Sequence, residues 1–262
     1  MPRTKATTPT QATASTTGSS AERSLRLLTT LAAEGRALTL ADLSDRLALP
    51  KATVHRLCQQ LMDSGFLARD VDERAFVAGP ALRRLAFDTL NHGVARGLRH
   101  EVLSALVAQV GETCNFTTLE GTRVLYLDRV EAHWPLRLTL EVGSHVPLHG
   151  TASGKLFLAL MPAEQRDMLI DQLSLEALTP NTITKSKALR AECEQIARQG
   201  YSTDREEFIA GLVAVAVPVL DAQGRARAAI AVHAPTPRMS LKQALEKLPF
   251  LQAAAGRMGK LL

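Results

Sequence analysis

The chain has 262 residues, of which 31 are lysine or arginine and 26 are aspartate or glutamate, giving a formal net charge of +5. A composition of 46% apolar and 22% charged residues excludes a wholly disordered chain, and the length allows one large domain or two modest ones. The longest apolar stretch, Ala210–Leu220, is too short to cross a bilayer, and the widely spaced Cys58, Cys114 and Cys193 exclude a disulfide framework and favour a reducing cytoplasm.

The N-terminal segment differs from the rest of the chain. Residues 1–20 are rich in threonine and serine and contain no acid, so we expect a disordered N-terminal arm there. A helix should begin near Ala21, where leucines recur at helical spacing, and end at Gly35. Thr39 and Asp42 resemble a capping box and predict the start of a second helix.

A third helix is expected from Pro50 to about Ser64, because apolar residues recur there at helical spacing. Two short extended segments, Phe66–Arg69 and Arg74–Val77, flank a polar turn and predict a hairpin after this helix. The order helix, helix, tight turn, helix, hairpin is typical of a winged helix-turn-helix, which we place at residues 21–80.

The outer face of the third helix is polar, as contact with the DNA major groove requires. Arg56 can form two hydrogen bonds with a guanine edge, and Gln59 can pair with adenine. The candidate DNA-binding residues on this helix and the hairpin are Lys51, Thr53, His55, Arg56, Gln59, Arg69 and Arg74. The alternative interpretation is a solvated helix face in a small helical domain.

The remainder of the chain has the pattern of a mixed α/β domain. Residues 81–97 have helical periodicity and predict a linker helix, which leads into a second domain at 98–262. Strands are expected at 113–119, 122–129, 137–142, 213–220 and 225–233. Helices are expected at 98–110, 152–161, 162–173, 186–198 and 240–262.

Three segments resemble the IclR-type bacterial transcriptional regulators. The run LTLADLSDRLALPKATVHRLCQQLMDSGFL is similar to the winged helix-turn-helix of that family. The later run VPLHGTASGKLFLA resembles the effector-domain signature of the family, and GYSTDREEFIAGLVAVAVPVLDAQGRARAAIAV resembles its second half. The three runs occur in the family's order, and the likeness extends from about residue 21 to 262.

The resemblance implies an α/β (α+β) fold, in which the N-terminal winged helix-turn-helix is joined by the linker helix to a GAF-like mixed α/β effector and oligomerisation domain. It implies a cytoplasmic homodimer or homotetramer that binds double-stranded operator DNA and a small organic acid, with no membrane association. The effector-binding residues that it assigns are Leu138, Val146, Ala152, Ser153, Asp204, Leu212, Ala214, Ala231 and His233.

Some of these positions depart from the family pattern. Ala214 stands where many relatives carry cysteine, and Ala231 and His233 stand where a pair of serines is frequent. We therefore expect a roomier, less polar pocket, in which His233 is a directional donor to a bulkier acid, such as an aromatic one, rather than to a very small keto acid. The alternative for His233 is a hydrogen-bonded histidine of the core.

The leading hypothesis is a ligand-responsive DNA-binding regulator, and the alternatives are a small-molecule enzyme with an accessory helical domain and a protein-interaction module. We predict no catalytic residue, because no histidine or lysine is tied by spacing to the carboxylates that begin at Asp204. Glu141, His145 and His149 repeat at every fourth residue, but Pro147 interrupts a strand there. We therefore predict neither a metal site nor a cofactor.

Overall fold

The computed structural model of the protein describes residues 19–70, 73–91, 93–134 and 140–262. Nearly all of the expected arm at 1–20 lies outside the described residues, and so does Leu138. The chain divides into two compact units, one up to Asp88 and one from Thr89 onward. Each unit has its own sheet and its own hydrophobic cluster.

The first unit is built from helices and a small antiparallel sheet. Its helices are α1 (Ser20–Glu34), α2 (Leu40–Leu47), α3 (Lys51–Asp63) and α4 (Pro80–Asn91), the last of which runs across the division. Its strands are β1 (Leu38–Thr39), β2 (Leu67–Arg69) and β3 (Ala75–Ala78), in the spatial order β1-β3-β2. The predicted hairpin is confirmed as β2–β3, whereas the two-residue β1 was not predicted.

Local sequence signals explain where these helices begin and end. Gly35 has a left-handed φ of 64° and ends α1, as predicted. Thr39 and Asp42 form the predicted capping box, in which each side chain accepts from the backbone N–H of the other residue. The apolar positions of α3 point inward, and Val54 and Leu57 are fully buried. The core of the unit therefore follows the apolar periodicity of the sequence.

The second unit is a six-stranded antiparallel sheet with helices on both faces. Its strands are β4 (Thr113–Glu120), β5 (Arg123–Val130), β6 (His145–Pro147), β7 (Ser202–Arg205), β8 (Leu212–Leu220) and β9 (Ala226–Pro235), in the spatial order β6-β5-β4-β9-β8-β7. Its helices are α5 (Gly93–Val110), α6 (Ala152–Leu160), α7 (Ala163–Gln172), α8 (Ser186–Gln199), α9 (Leu241–Leu245) and α10 (Leu248–Gly259). Helices α5 and α10 pack on one face of the sheet, and α6, which is backed by α8, packs on the other.

Three elements differ from the sequence-based expectation. The boundary between the helices expected at 81–97 and 98–110 lies earlier in the chain than predicted, just before Gly93. The reason is that Gly93, at the start of α5, has a left-handed φ of 76°. The final helix expected at 240–262 is two helices, since Pro249 in the first turn of α10 has no N–H with which to continue α9. The described part of the strand expected at 137–142, Leu140–Val142, is not a strand.

The short strands β6 and β7 were not predicted. Both lie at the edges of the six-stranded sheet, where three or four residues pair with one neighbour only. Segments of that length carry too few alternations to produce a sequence pattern. Among the described residues, no helix is long and apolar enough to cross a membrane.

Candidate functional site

The polar face of α3 is open to solvent while its opposite face is buried. Lys51, His55, Arg56 and Gln59 are exposed, and Thr53 is half-buried. Gln59 Nε2 donates to Asp63 Oδ1 at 2.8 Å. Within the described part of the chain, no ion pair engages the side chain of Arg56. The predicted recognition surface is therefore available to a ligand.

The β2–β3 hairpin adds two exposed arginines to the first unit. Arg69 Nη1 donates to the carbonyl oxygen of Glu73 at 3.0 Å, and its guanidinium lies 4.3 Å from the centre of the Phe76 ring. These contacts fix the orientation of Arg69. Arg74 lies just before β3 and is also exposed. Together with α3, the hairpin presents the arrangement of a wing beside a recognition helix.

The second unit contains a small cavity of about 30 Å³ between the sheet and the N-terminus of α6. The residues that line it are Asn115, Tyr126, Leu140, Val146, Thr151, Ala152, Ser153, Asp204, Phe208, Leu212, Ala214, Ala231 and His233. Every predicted effector residue that the structure describes is among them. The cavity is smaller than we expected from the alanines, because the side chains of Tyr126, Leu140 and Phe208, which were not predicted, also occupy this region.

Strand register brings distant parts of the sequence together at this cavity. Asp204 on β7 pairs with Ala214 on β8, and Ala214 pairs with His233 on β9. Directly opposed residues of an antiparallel sheet point to the same face, so all three side chains face α6. Two strand spacings place the Cα atoms of Asp204 and His233 about 10 Å apart.

The N-terminus of α6 forms one wall of the cavity. Thr151 Oγ1 accepts from the backbone N–H of Gly154 at 3.2 Å and donates to the carbonyl oxygen of Pro147 at 2.8 Å. The backbone N–H groups of Ala152 and Ser153 belong to the first turn and have no acceptor within the helix. Two free N–H groups at the positive end of a helix are suited to binding a carboxylate.

A close approach of the backbone makes this helix start possible. A Cβ atom at Gly154 would overlap the carbonyl oxygen of Leu148 and would lie 2.7 Å from its carbonyl carbon. Only glycine allows the strand-to-helix connection to fold back so tightly over α6. The glycine therefore holds the N–H groups of Ala152 and Ser153 against the cavity.

Asp204 is a buried carboxyl group that also lines the cavity. Its Oδ1 accepts from the backbone N–H of Glu207 at 2.7 Å and from that of Phe208 at 3.3 Å. Burial raises the pKa of Asp204 to about 7, and the neighbouring Glu207 also raises it, although the backbone hydrogen bonds and Lys155 act in the opposite direction. Near neutral pH a substantial fraction of Asp204 is therefore protonated and can donate a hydrogen bond to an anion.

Lys155 stabilises the wall rather than facing a ligand. Its side chain is fully buried, and Nζ donates to both carboxylate oxygens of Glu207 and lies 3.5 Å from Glu192 Oε1. Burial of this ammonium group requires such partners, since an unpaired buried charge is strongly unfavourable. The pair fixes the turn that follows Asp204 on β7.

Asn115 and His233 are two further polar residues of the cavity lining, and Arg129, which is not part of the lining, contacts Asn115. Arg129 Nη1 donates to Asn115 Oδ1 at 2.9 Å, and Asn115 Nδ2 lies 3.0 Å from His233 Nδ1. Burial lowers the pKa of His233 to about 3, and the nearby Arg129 and Arg238 lower it further, so the ring is neutral at physiological pH. Asn115 and Arg129 were not predicted, since nothing in their local sequence marks them as polar core residues.

A β-bulge explains why Tyr126 and Arg129 of β5 lie on the same face of the sheet. The β4–β5 register shifts between Phe116 and Thr117, so that Tyr126 opposes Thr117 while Arg129 opposes Asn115. Tyr126 and Arg129 are three residues apart and would otherwise point to opposite faces. Burial raises the pKa of Tyr126 to about 12, so its hydroxyl remains protonated.

The histidines considered for a metal site are engaged elsewhere. His145 contacts the Glu120 carboxylate, and His149 Nε2 lies 2.9 Å from the carbonyl oxygen of Glu176. Within residues 19–70, 73–91, 93–134 and 140–262, no group of three metal-ligating side chains is assembled. His149 instead ties the loop before α6 to the loop that follows α7.

A winged helix-turn-helix unit and an α/β unit with a small pocket define the class of transcriptional regulators that respond to a small molecule. The IclR helix-turn-helix domain model matches residues 20–71, and the C-terminal model of the bacterial transcriptional regulator IclR matches residues 90–259. The chain therefore belongs to the IclR family. It is a transcriptional regulator with a DNA-binding domain and an effector-binding domain, and not an enzyme.

Named relatives agree with this assignment. The chain is 42% identical over 240 residues to the probable transcriptional regulator SauR of Cupriavidus necator, covering 92% of this chain and 95% of that protein. The Thermotoga maritima IclR structure has the same fold, with a TM-score of 0.62 at 24% identity and coverage of 92% and 97% of the two chains. An IclR homologue from Microbacterium hydrocarbonoxydans, solved in complex with 4-hydroxybenzoate, gives a TM-score of 0.58 at 27% identity, covering 93% of this chain and 99% of that chain.

Proposed function

We propose that the protein binds double-stranded operator DNA in the cytoplasm as a homodimer or homotetramer, through α3 and the β2–β3 hairpin. The observation that carries this proposal is the exposed polar face of α3 opposite a fully buried apolar face. Arg56 and Gln59 are assigned to base edges, and Lys51, Thr53 and His55 to phosphates near the start of the helix. Arg69 and Arg74 are assigned to the backbone or minor groove beside the wing.

A net charge of +5 per chain is modest for a DNA-binding protein. The proposal depends on where the charges lie rather than on their sum, because the candidate contacts are concentrated on one helix face and the adjoining hairpin. A dimer would present two such surfaces to two operator half-sites. We assign DNA binding to residues 21–80 and effector binding with oligomerisation to residues 98–262, with residues 81–97 as the linker.

A gel-shift titration with the intergenic DNA beside the protein's own gene tests this proposal. Arg56→Ala should weaken binding by about ten-fold or more, since a lost bidentate contact with guanine corresponds to about 1–3 kcal/mol. Arg198→Ala is the matched control, because it removes an exposed arginine from α8 of the second unit. Wild-type affinity should fall steeply as salt is raised. Equal loss in the two variants, or binding that is insensitive to salt, would refute the assignment.

We also propose that the effector is a small organic acid bound in the cavity of the second unit. Its carboxylate would accept from the backbone N–H groups of Ala152 and Ser153, and protonated Asp204 would donate a further hydrogen bond. His233 would contact the other end of the acid, and Val146, Leu212, Ala214 and Ala231 would surround its apolar body. The resemblance also assigns Leu138, which lies outside the described residues, to this apolar wall.

The acid that we favour has an aromatic body. Support comes from the mostly apolar lining, to which Tyr126 and Phe208 add aromatic rings, and from the 4-hydroxybenzoate complex of the Microbacterium homologue. The cavity of about 30 Å³ favours the second candidate, a short keto acid, because that volume holds little more than one or two water molecules. An aromatic acid requires the partly buried Leu140 and Phe208 to move outward.

Calorimetric titration distinguishes the two candidates. 4-Hydroxybenzoate should bind more tightly than glyoxylate or pyruvate, and the reverse order would refute the aromatic assignment. Arg56→Ala should bind the acid with wild-type affinity, because α3 lies in the other unit. If Arg56→Ala lost both DNA and acid binding, the separation of the two functions would be wrong. We propose that the bound acid shifts the population between conformations with different operator affinity.

A further inference from the structure

The contacts of His233 leave only one of its two neutral forms compatible with its surroundings. Arg129 is a donor only, so the Asn115 atom that it contacts at 2.9 Å must be the oxygen. The amide nitrogen of Asn115 therefore faces His233 Nδ1 at 3.0 Å and donates to it. The opposite amide orientation would place two donors against each other at the arginine.

An Nδ1 atom that accepts a hydrogen bond cannot carry a proton, so the proton of the neutral ring is on Nε2. Burial keeps the pKa of His233 far below neutrality, and the ring does not gain a second proton near pH 7. Among the described residues, none hydrogen-bonds to Nε2, while the ring itself lines the cavity. The ring thus offers one N–H to whatever enters the cavity.

We propose that Asn115 and Arg129 are positioning residues that hold His233 as an Nε2–H donor and thereby select effectors with a hydrogen-bond acceptor at the end remote from the carboxylate. The specificity part of this inference rests on the proposed function. Neither residue needs to touch the ligand: Arg129 orients the amide, and the amide fixes the tautomer.

We call the chain of contacts from Arg129 through Asn115 to His233 the relay. It continues toward the protein surface through the carboxylate of Glu131. Arg129 Nε donates to Glu131 Oε1 at 3.3 Å, and Glu131 is half-buried beyond the end of β5. The charged groups that act on His233 are Arg129 on β5 and Arg238 beyond β9, both positive. Arg238 is itself paired with Glu112, just before β4. These two positive neighbours disfavour an imidazolium and reinforce the neutral donor form.

The tautomer can be measured without a ligand. Long-range ¹H–¹⁵N spectra of the full-length protein labelled with ¹⁵N-histidine should show an unprotonated Nδ1 and a protonated Nε2 for one of the seven histidines. His233→Gln identifies that residue by the loss of its signals. The pattern should persist from pH 7 to pH 5. If no histidine of the wild-type protein kept an unprotonated Nδ1 and a protonated Nε2 down to pH 5, the proposal would be overturned, even if every variant failed to fold.

Asn115→Asp tests the relay itself. A carboxylate cannot donate, so Nδ1 of His233 should become protonated in this variant while Arg129 keeps an acceptor. Thr117→Val is the matched control, since Thr117 is a buried polar residue on the same strand that donates to the carbonyl oxygen of Ala229 rather than contacting His233. It should retain the wild-type tautomer. An unchanged tautomer in Asn115→Asp would refute the role of the amide.

The specificity part is tested with two benzoates that differ at the para position. The wild-type protein should bind 4-methoxybenzoate, whose ether oxygen only accepts, about ten-fold more tightly than 4-aminobenzoate, whose amino group chiefly donates. Equal affinity or the reverse order would overturn the specificity claim. If neither compound bound while the tautomers were as described, the proposed aromatic effector would be wrong and the positioning roles of Asn115 and Arg129 would be supported.

Discussion

Replacing Asp204 by asparagine should remove a pH-dependent contribution to the free energy of unfolding, namely the cost of ionising this buried carboxyl group. The ordinary pKa of an aspartate is 3.8, and burial raises that of Asp204 to about 7. A rise of this size corresponds to a penalty of about 4 kcal/mol for the ionised carboxylate in the fold. The folded protein holds a proton that the unfolded chain releases, so the stability contributed by the neutral form is lost as pH rises from about 4 to about 7.

Most of this loss falls between pH 5 and pH 8. Between these values the wild-type free energy of unfolding should fall on the order of 3 kcal/mol more than that of Asp204→Asn. Asparagine has nearly the same shape, and its oxygen can still accept from the backbone N–H of Glu207. The difference between the two proteins therefore reports on ionisation rather than on packing.

Urea unfolding followed by the fluorescence of Trp134 is the appropriate assay, because Trp134 is the single tryptophan and lies in the same unit as Asp204. Glu164→Gln, which removes an exposed carboxylate from α7, is the control and should retain the wild-type pH dependence. If the stability difference between wild type and Asp204→Asn were the same at pH 5 and pH 8, the carboxyl group would not titrate in this range and the reasoning would be wrong.

Two further predictions concern the same unit and the cysteines. Gly154→Ala should destabilise the second unit by about 1–3 kcal/mol in urea unfolding, because the new Cβ would overlap the Leu148 backbone, whereas Gly256→Ala, on a helix with open space around it, should stabilise by about 0.5–1 kcal/mol. Equal effects at the two glycines would contradict the close approach. A thiol reagent such as DTNB should not react with the native protein at pH 8. The thiols of Cys58, Cys114 and Cys193 are buried, and burial raises the pKa of each of them. Rapid labelling of any of them without denaturant would show that the burial is wrong.

The sequence by itself determined the elements with strong local signals. The capping box at Thr39 and Asp42, the helix end at Gly35 and the apolar stripe of α3 all depend on residues within a few positions of each other. Local hydrogen bonding and amphipathic periodicity therefore specify the winged helix-turn-helix without reference to the rest of the chain. The resemblance to the IclR family supplied most of the pocket residues in the same way, because the matching segments are continuous in sequence.

Only the tertiary structure decided which polar groups act together in the pocket. Asn115 and His233 are 118 positions apart in the chain and meet because β4 pairs with β9. The bulge that turns Tyr126 and Arg129 to the same face depends on how β5 pairs with β4, which no local pattern of either strand reveals. Non-local strand pairing thus determines the protonation states and hydrogen-bond directions that residue types alone leave open, since both depend on burial and on the partner each group meets.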